Sequence, residues 1–460
     1  MSRNQRAIVD DVQFVVDAGR DDTLRKVAYA LYVAALLLVT YGVTLARAFF
    51  LTQDPRWLRE QVTSWRGAIV LAVVVGVGLA AAWRTGKVRG PVLPPLPWID
   101  LVAAGPVDRA ITLRRWWLVA LAGLVTGAAM LGAVVGGGAW LATVGDPGWL
   151  VIGAVLATAL GWLHLLLWLA GQVSISAPAS VPPVWRPREA LRRLRLEDLR
   201  AQSARATRMG GAVLLGDLRA IRLEVATPVT RGRTRRLRPG RSWTVIPRRD
   251  LLGQMRQPGS GVLAALVTMV GAGGLTWALL YPAVPVVVAV ACGLVLHLGF
   301  SIAAEGLRLQ GDNAGTPSLL GLSTRSEAFG HLAVPLLLSG GTAVLTAAAV
   351  GLTREASSAY VLPAVGWMVL MVAVVLGTAT ASAFRGSAPL SVFLPEAGPI
   401  MLLVWVSRQA IVAAGAVGGL TASAARLSPQ EALLPAVMVA MAAVVWGFRR
   451  VDAVAMEHRV

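Results

Sequence analysis

Long uncharged apolar runs alternate with short charged segments along almost the whole chain, and the charges mark where each run starts and stops. Lys26 to Arg47 encloses the first run, Arg66 to Arg84 the second and Arg115 to Asp146 the third. A fourth extends from Trp149 to Gly171. No charge lies between Arg256 and Glu305, which leaves room for two runs. Tyr281-Pro-Ala-Val-Pro285 divides them, because two prolines this close favour a turn. Glu327–Arg354, Glu355–Arg385, Glu396–Arg426 and Glu431–Arg449 hold the remaining four, with Arg408 interrupting the ninth. A helix of about 20 residues crosses the roughly 30 Å hydrocarbon core. The pattern therefore predicts an all-α integral membrane protein of about ten transmembrane helices, here spans 1 to 10.

Composition agrees. Of 460 residues, 56% are hydrophobic and 15% charged, against about 45–50% and 25% in soluble domains. A soluble enzyme, a disordered chain and a secreted disulfide scaffold are excluded. Cys292 is the sole cysteine, so no intrachain disulfide and no four-cysteine metal site can form. The charged N-terminus (Arg3, Arg6, Asp10, Asp11, Asp17) predicts no cleavable signal peptide. Basic residues exceed acidic ones by 43 to 24, and Lys26 and Lys87 are the only lysines. With its abundant Ala, Gly and Val, this usage points to a GC-rich, actinobacterial source. Placing the N-terminus inside puts 36 Lys and Arg in the inner segments and 6 in the outer loops. The positive-inside bias thus predicts a bacterial plasma-membrane protein with both termini cytoplasmic.

The expected segments are a cytoplasmic stretch 1–26, a first transmembrane half 27–172 and an Arg-rich cytoplasmic linker 173–260. A second half at 261–385 and a C-terminal pair of spans within 386–460 complete the chain. Within the linker, Pro187 to about Leu223 reads as helical, and residues 228–241 carry Arg231, Arg233, Arg235, Arg236, Arg238 and Arg241. This run is expected to rest on anionic lipid headgroups. No nucleic acid is expected, since no recognised module accompanies it and aromatics are nearly absent. Ile246, Leu251, Leu252 and Met255 form a short amphipathic segment before span 5, expected in the membrane surface plane.

Two inner loops look alike. Asp100-Leu-Val-Ala-Ala-Gly105-Pro-Val-Asp-Arg109 precedes span 3, and Thr316-Pro-Ser-Leu-Leu-Gly321-Leu-Ser-Thr-Arg325 precedes span 7. Gly105 aligns with Gly321 and Arg109 with Arg325, and the same offset lays spans 2 to 4 on spans 6 to 8. The reading is an internal repeat: two similar four-helix halves plus two C-terminal helices. Gly105 and Pro106 are expected to start a helix with Asp108 in its first turn. Thr324 to Glu327 has the form of a capping box. Asp100 and Arg109 could also form a local ion pair.

Catalytic and nucleotide motifs are missing. There is no Gly-x-x-x-x-Gly-Lys-Ser/Thr loop, no His-Glu-x-x-His and no Gly-x-Ser-x-Gly. No cofactor, metal or catalytic residue is expected in this chain. All 24 acidic residues lie in loops or near predicted span ends. An ion-coupled carrier usually needs an intramembrane acid, so energy for transport is expected from a partner, unwound backbone carbonyls being the other way to bind an ion. The polar residues inside spans are Arg408, His164 and His297, which become the candidate substrate path. Gly123, Gly127, Gly132 and Gly136 on span 3 are small-residue packing positions.

Three stretches carry a family resemblance: Pro97-Trp-Ile-Asp100-Leu leading to Gly105-Pro106-Val-Asp108-Arg109, then Pro247-Arg-Arg-Asp-Leu-Leu through Arg256-Gln-Pro258, and Thr316–Arg325. In them the chain resembles the permease subunits of type-2 ABC exporters, and a group of actinobacterial multi-spanning proteins related to them. The resemblance implies an ATP-driven exporter whose separate ABC ATPase subunit docks under the inner loops. The implied coupling contacts are Asp100, Gly105, Pro106, Asp108 and Arg109, with Ser318, Gly321, Thr324 and Arg325 in the second loop. Either one chain with two halves or a homodimer would fill the complex. The alternatives are a membrane scaffold or regulatory protein without transport activity and, third, a membrane-embedded enzyme.

Overall fold

A computed structural model describes residues 11–12, 22–51, 64–177, 185–214, 234, 236–237, 240–316, 318, 320–353, 358–386 and 398–457. Most of the arginine run at 228–241 lies outside the described residues, as do Pro178, Leu218, Ile221, Glu396 and His458. The chain is an all-α multi-pass membrane protein. Among the described residues, nine helices are long and apolar enough to cross a membrane. They match spans 1 to 8 and span 10. Span 9 is the continuous helix Gly398–Arg426, which is not among those nine. It does not break into two re-entrant halves at Arg408.

Residues 1–225 and 226–460 form two compact units, divided inside the predicted linker. In the first, span 1 is helical over Asp22–Leu51, span 2 over Trp65–Val88, span 3 over Arg114–Leu141 and span 4 over Gly148–Ser176. Span 1 packs on span 3, span 3 on span 4 and span 4 on span 2. No comparable packing joins span 1 to span 2 or 4, or span 2 to span 3, among the described residues. The four spans therefore make an open row in the order 1-3-4-2.

Small residues let the backbones touch along this row. A Cβ on Gly132 would overlap the Gly153 carbonyl oxygen, and one on Gly136 would overlap that of Trp149. Gly86 and Gly171 do the same between spans 2 and 4. Close backbone approach replaces the hydrophobic drive that lipid removes. Of the four glycines expected to pack on span 3, Gly132 and Gly136 do so, whereas Gly123 and Gly127 face open space.

The second unit holds spans 5 (Pro258–Leu280), 6 (Val286–Ala303), 7 (Thr324–Thr353), 8 (Ser358–Ala383), 9 and 10 (Pro429–Glu457). A widened turn at Leu336–Gly340 follows Pro335 in span 7, whose missing N–H breaks the regular ladder. Span 8 packs against each of the other five, so this unit is a closed bundle around it. Its core is Ala272, Leu275, Leu296, Phe300, Met371, Val374, Val375, Val417 and their neighbours. The repeat is visible in part: the pairings 1–3, 2–4 and 3–4 recur as 5–7, 6–8 and 7–8. Spans 5 and 6 form the most extensive pairing of their unit, while the matching pair 1 and 2 does not form.

Candidate functional site

The first inner loop is part of a folded platform. After span 2 the chain turns through Leu96–Trp98 and a wide turn at Ile99–Ala103, then re-enters a helix at Arg109. The cap is Asp108, whose carboxylate accepts from Ala110 N–H at 3.0 Å, so the helix starts three residues later than Gly105 and Pro106 suggest. The helical stretch predicted over 187–223 is broken at Leu194 and Arg195. It becomes Pro187–Arg193 and Leu196–Leu214, which lie on the loop.

Buried amides hold the two parts together. Gln172, at 2% exposure, donates to the Val92 carbonyl at 2.8 Å and to Gln202 Oε1 at 2.9 Å, and its own Oε1 accepts from Val92 N–H at 3.3 Å. Ser203 donates to the Pro94 carbonyl at 2.8 Å, and Trp168 to that of Arg89 at 2.7 Å. Leu113, Leu165, Leu169, Leu191, Leu194 and Leu199 fill the space between.

The charged coupling candidates of this loop, Asp100, Asp108 and Arg109, each have a partner on the helices Pro187–Arg193 and Leu196–Leu214 or the break between them. Asp108 takes a forked contact from Arg192, with Nη2 at 2.6 Å and Nε at 3.0 Å from Oδ2. That hydrogen bond holds the Asp108 carboxyl below the usual carboxylate range. Asp100 pairs with Arg200 at the surface, and Arg109 donates to the Leu194 carbonyl at 2.9 Å. Asp100 and Arg109 thus do not pair with each other. Leu101 stands 78% exposed beside Asp100.

The second inner loop is built differently. Its cap is Ser323, which accepts from Ser326 N–H at 3.2 Å, one residue before the expected Thr324. Gly321 has φ +65°, a conformation that favours glycine; Gly105 lacks it. Ser318 forms a local turn, its carbonyl accepting from Gly321 N–H at 3.2 Å. Arg325 reaches Asp452 at 3.9 Å and lies over the Phe448 ring of span 10. The amphipathic segment is the helix Ser242–Arg256. Ile246 packs on Gly330, and Asp250 meets His331 Nδ1 at 2.6 Å with both side chains nearly inaccessible. Leu251 and Met255 are about half exposed. One face of this helix therefore docks on span 7, beyond what a purely interfacial segment would do.

Of the candidate substrate path, His297 is buried and bonds Thr378 of span 8 at 3.3 Å, an ordinary interhelical contact. His164 belongs to the first unit and is partly buried on span 4. Arg408 is not alone. Its Nη2 donates to the Arg385 carbonyl at 3.4 Å, and Arg450 Nη2 donates to the same oxygen at 2.7 Å. The Arg385 and Arg408 guanidiniums both lie about 5.5 Å from the Trp405 ring centre, within cation–π range. Arg308 is close enough, together with Arg408 and burial, to push the Arg385 pKa down to about 10, with burial the largest cause. The Nε atoms of Arg385, Arg408 and Arg450 are buried without a hydrogen-bond acceptor, and no carboxylate comes within 4.0 Å of these three side chains among the described residues. Sequence reasoning used Arg385 and Arg449 as span boundaries, did not single out Arg450, and missed the convergence of Arg385, Arg408 and Arg450. The available signal was that spans 8 and 10 end, and span 9 begins, on the same side.

Among the described residues no group of three or more His, Cys, Asp and Glu side chains could hold a metal ion. No family model, no curated protein and no solved structure matches this chain.

Proposed function

We propose that the chain is the membrane-spanning permease subunit of an ATP-driven exporter, energised by a separate ABC ATPase that docks on its cytoplasmic face. The observation that carries this reading is the platform of residues 86–113 and 187–214. Its buried amides and ion pairs tie the inner loop to the ends of spans 2, 3 and 4. A force applied to the loop would therefore move three helices together, which is what a coupling element must do. The exposed Leu101 supplies an apolar contact at its tip. The absence of a phosphate-binding loop in the sequence requires the nucleotide to be handled by another chain. The positive-inside bias supports a cytoplasmic position for the platform.

The test is purification of the tagged full chain in mild detergent, with identification of any copurifying P-loop ATPase. Leu101→Glu should release the ATPase while leaving the platform folded, because Leu101 packs on nothing that the fold needs. Copurification lost in this variant supports docking on the loop. If no ATPase accompanies the wild type in any of several gentle detergents, the exporter reading fails and a scaffold or regulatory role replaces it.

A further inference from the structure

We propose that Arg385, Arg408 and Arg450 form a binding site for a phosphate-bearing anion, with Trp405 as its platform. The proposal does not depend on the exporter reading, since it rests on the second unit alone.

Three observations carry it. First, the three guanidinium groups are gathered where like charges should separate. Two of them donate to one backbone oxygen, that of Arg385, and Arg308 adds further positive charge beside them. Second, each guanidinium keeps a buried Nε with no acceptor. A buried donor left unmade is costly, and three in one place are an unusual concentration. Third, the compensation among the described residues is small. Ser382 accepts one bond from Arg385 at 3.2 Å. Glu457 stands at the rim, its carboxylate approaching Gly386 on the side where Arg450 Nη2 also approaches, without closing an ion pair.

Chemistry selects the ligand class. Guanidinium forks match the oxygens of phosphate, and a tetrahedral dianion can accept from several forks at once. Trp405 holds the Arg385 and Arg408 planes in place by cation–π contact. Position narrows the geometry further. Arg385 follows the end of span 8, Arg450 precedes the end of span 10 by two turns, and Arg408 lies about 15 Å into the helix that starts at Gly398. The cluster therefore sits near the boundary between hydrocarbon and headgroups, where long basic side chains reach toward water. The phosphate can come from an anionic lipid headgroup or from a soluble phosphate compound.

The experiment is thermal melting of the delipidated full chain in a neutral detergent. One arm adds phosphatidic acid, with phosphatidylcholine as reference; the other adds inorganic phosphate, with chloride at equal ionic strength. An upward shift of about 3 °C or more in either arm, the size expected at tenfold saturation, supports the site and names the source. The double variant Arg408→Gln/Arg450→Gln should lose the shift, while the exposed Arg449→Gln retains it. Because the wild-type arms need no variant, a misfolded double variant leaves the test standing. The proposal is overturned if neither anion stabilises the wild type above its reference, or if the folded double variant responds as the wild type does.

Discussion

The two units solve the same problem with different amounts of packing. In the first, only 6–17% of each span's most apolar stretch is buried within the protein; in spans 5 to 8 and 10 the share is 28–50%. The difference is topological. An open row gives each helix at most two neighbours, whereas a closed bundle gives its central helix five. Lipid offers apolar side chains as good a surroundings as protein does, so burial alone does not close a bundle. Closure needs surfaces that fit. The second unit has them where Gly377 of span 8 and Gly447 of span 10 bring two backbones together, and where Gly418 meets Val290 between spans 9 and 6. The attached helices differ in the same direction. The first unit fastens its platform partly by exposed Arg–Asp pairs, and the second fastens its amphipathic helix by the buried Asp250–His331 contact.

The strongest way to break the comparison is to overfill a backbone contact. Gly377→Leu pushes atoms into the Ala443 backbone at the centre of the bundle. Overpacking of this kind costs ~3 kcal/mol or more when nothing flexible can yield. It should abolish the monodisperse peak in detergent chromatography. Gly132→Leu should separate spans 3 and 4 at a smaller cost, because their contact lies in the open row. A loss of melting temperature equal to that of Gly377→Leu would erase the distinction between row and bundle.

A smaller effect is expected at the amphipathic helix. Asp250→Ala leaves His331 buried without its partner and should cost about 1–3 kcal/mol. Asp250→Asn, which can still hydrogen-bond the ring, should cost less. Urea denaturation of the purified chain would measure both, and equal costs would argue that the contact is mere packing.

Below that comes the Asp108–Arg192 contact, and pH reads it. The folded-state pKa of Asp108 is depressed. Its stabilisation is therefore complete above the unfolded-state value of about 3.9 and disappears as pH falls through the depressed one. Trp98, buried beside this loop, should report loosening in that acid window by fluorescence, and Asp108→Asn should remove the pH response. A response that survives the substitution would assign it to another carboxylate. The smallest effect belongs to Asp100→Asn. Its pair with Arg200 is about half exposed on both sides, and such pairs contribute well under ~1 kcal/mol. A melting shift as large as that of Asp250→Ala would overturn the distinction between exposed and buried fasteners.

Much of the architecture is legible along the chain. Membrane spans are local objects: each run of apolar residues between charges must satisfy its own backbone in hydrocarbon, so length and charge placement predict it. Spans 1 to 8 and 10 follow their charged boundaries closely, and span 9 runs as one helix through Arg408. Helix starts are nearly as local, and both caps fell within a few residues of their expected positions, at Asp108 and Ser323. The resemblance between Gly105 and Gly321 does not survive in their backbone conformations, because a two-residue identity carries no dihedral information.

The amino-acid sequence by itself determined the class, the number of apolar helices to within one and the loops between them. The reason is that hydrocarbon enforces helix formation segment by segment. Only the tertiary structure decided which helices touch, that one unit is a row and the other a bundle, and that Asp250 meets His331. It also decided that Arg408 and Arg450 both donate to the backbone carbonyl of Arg385, 65 residues before the second of them. These contacts join helices far apart in sequence, and they depend on where small residues let backbones approach and on crossing geometry that no single segment contains.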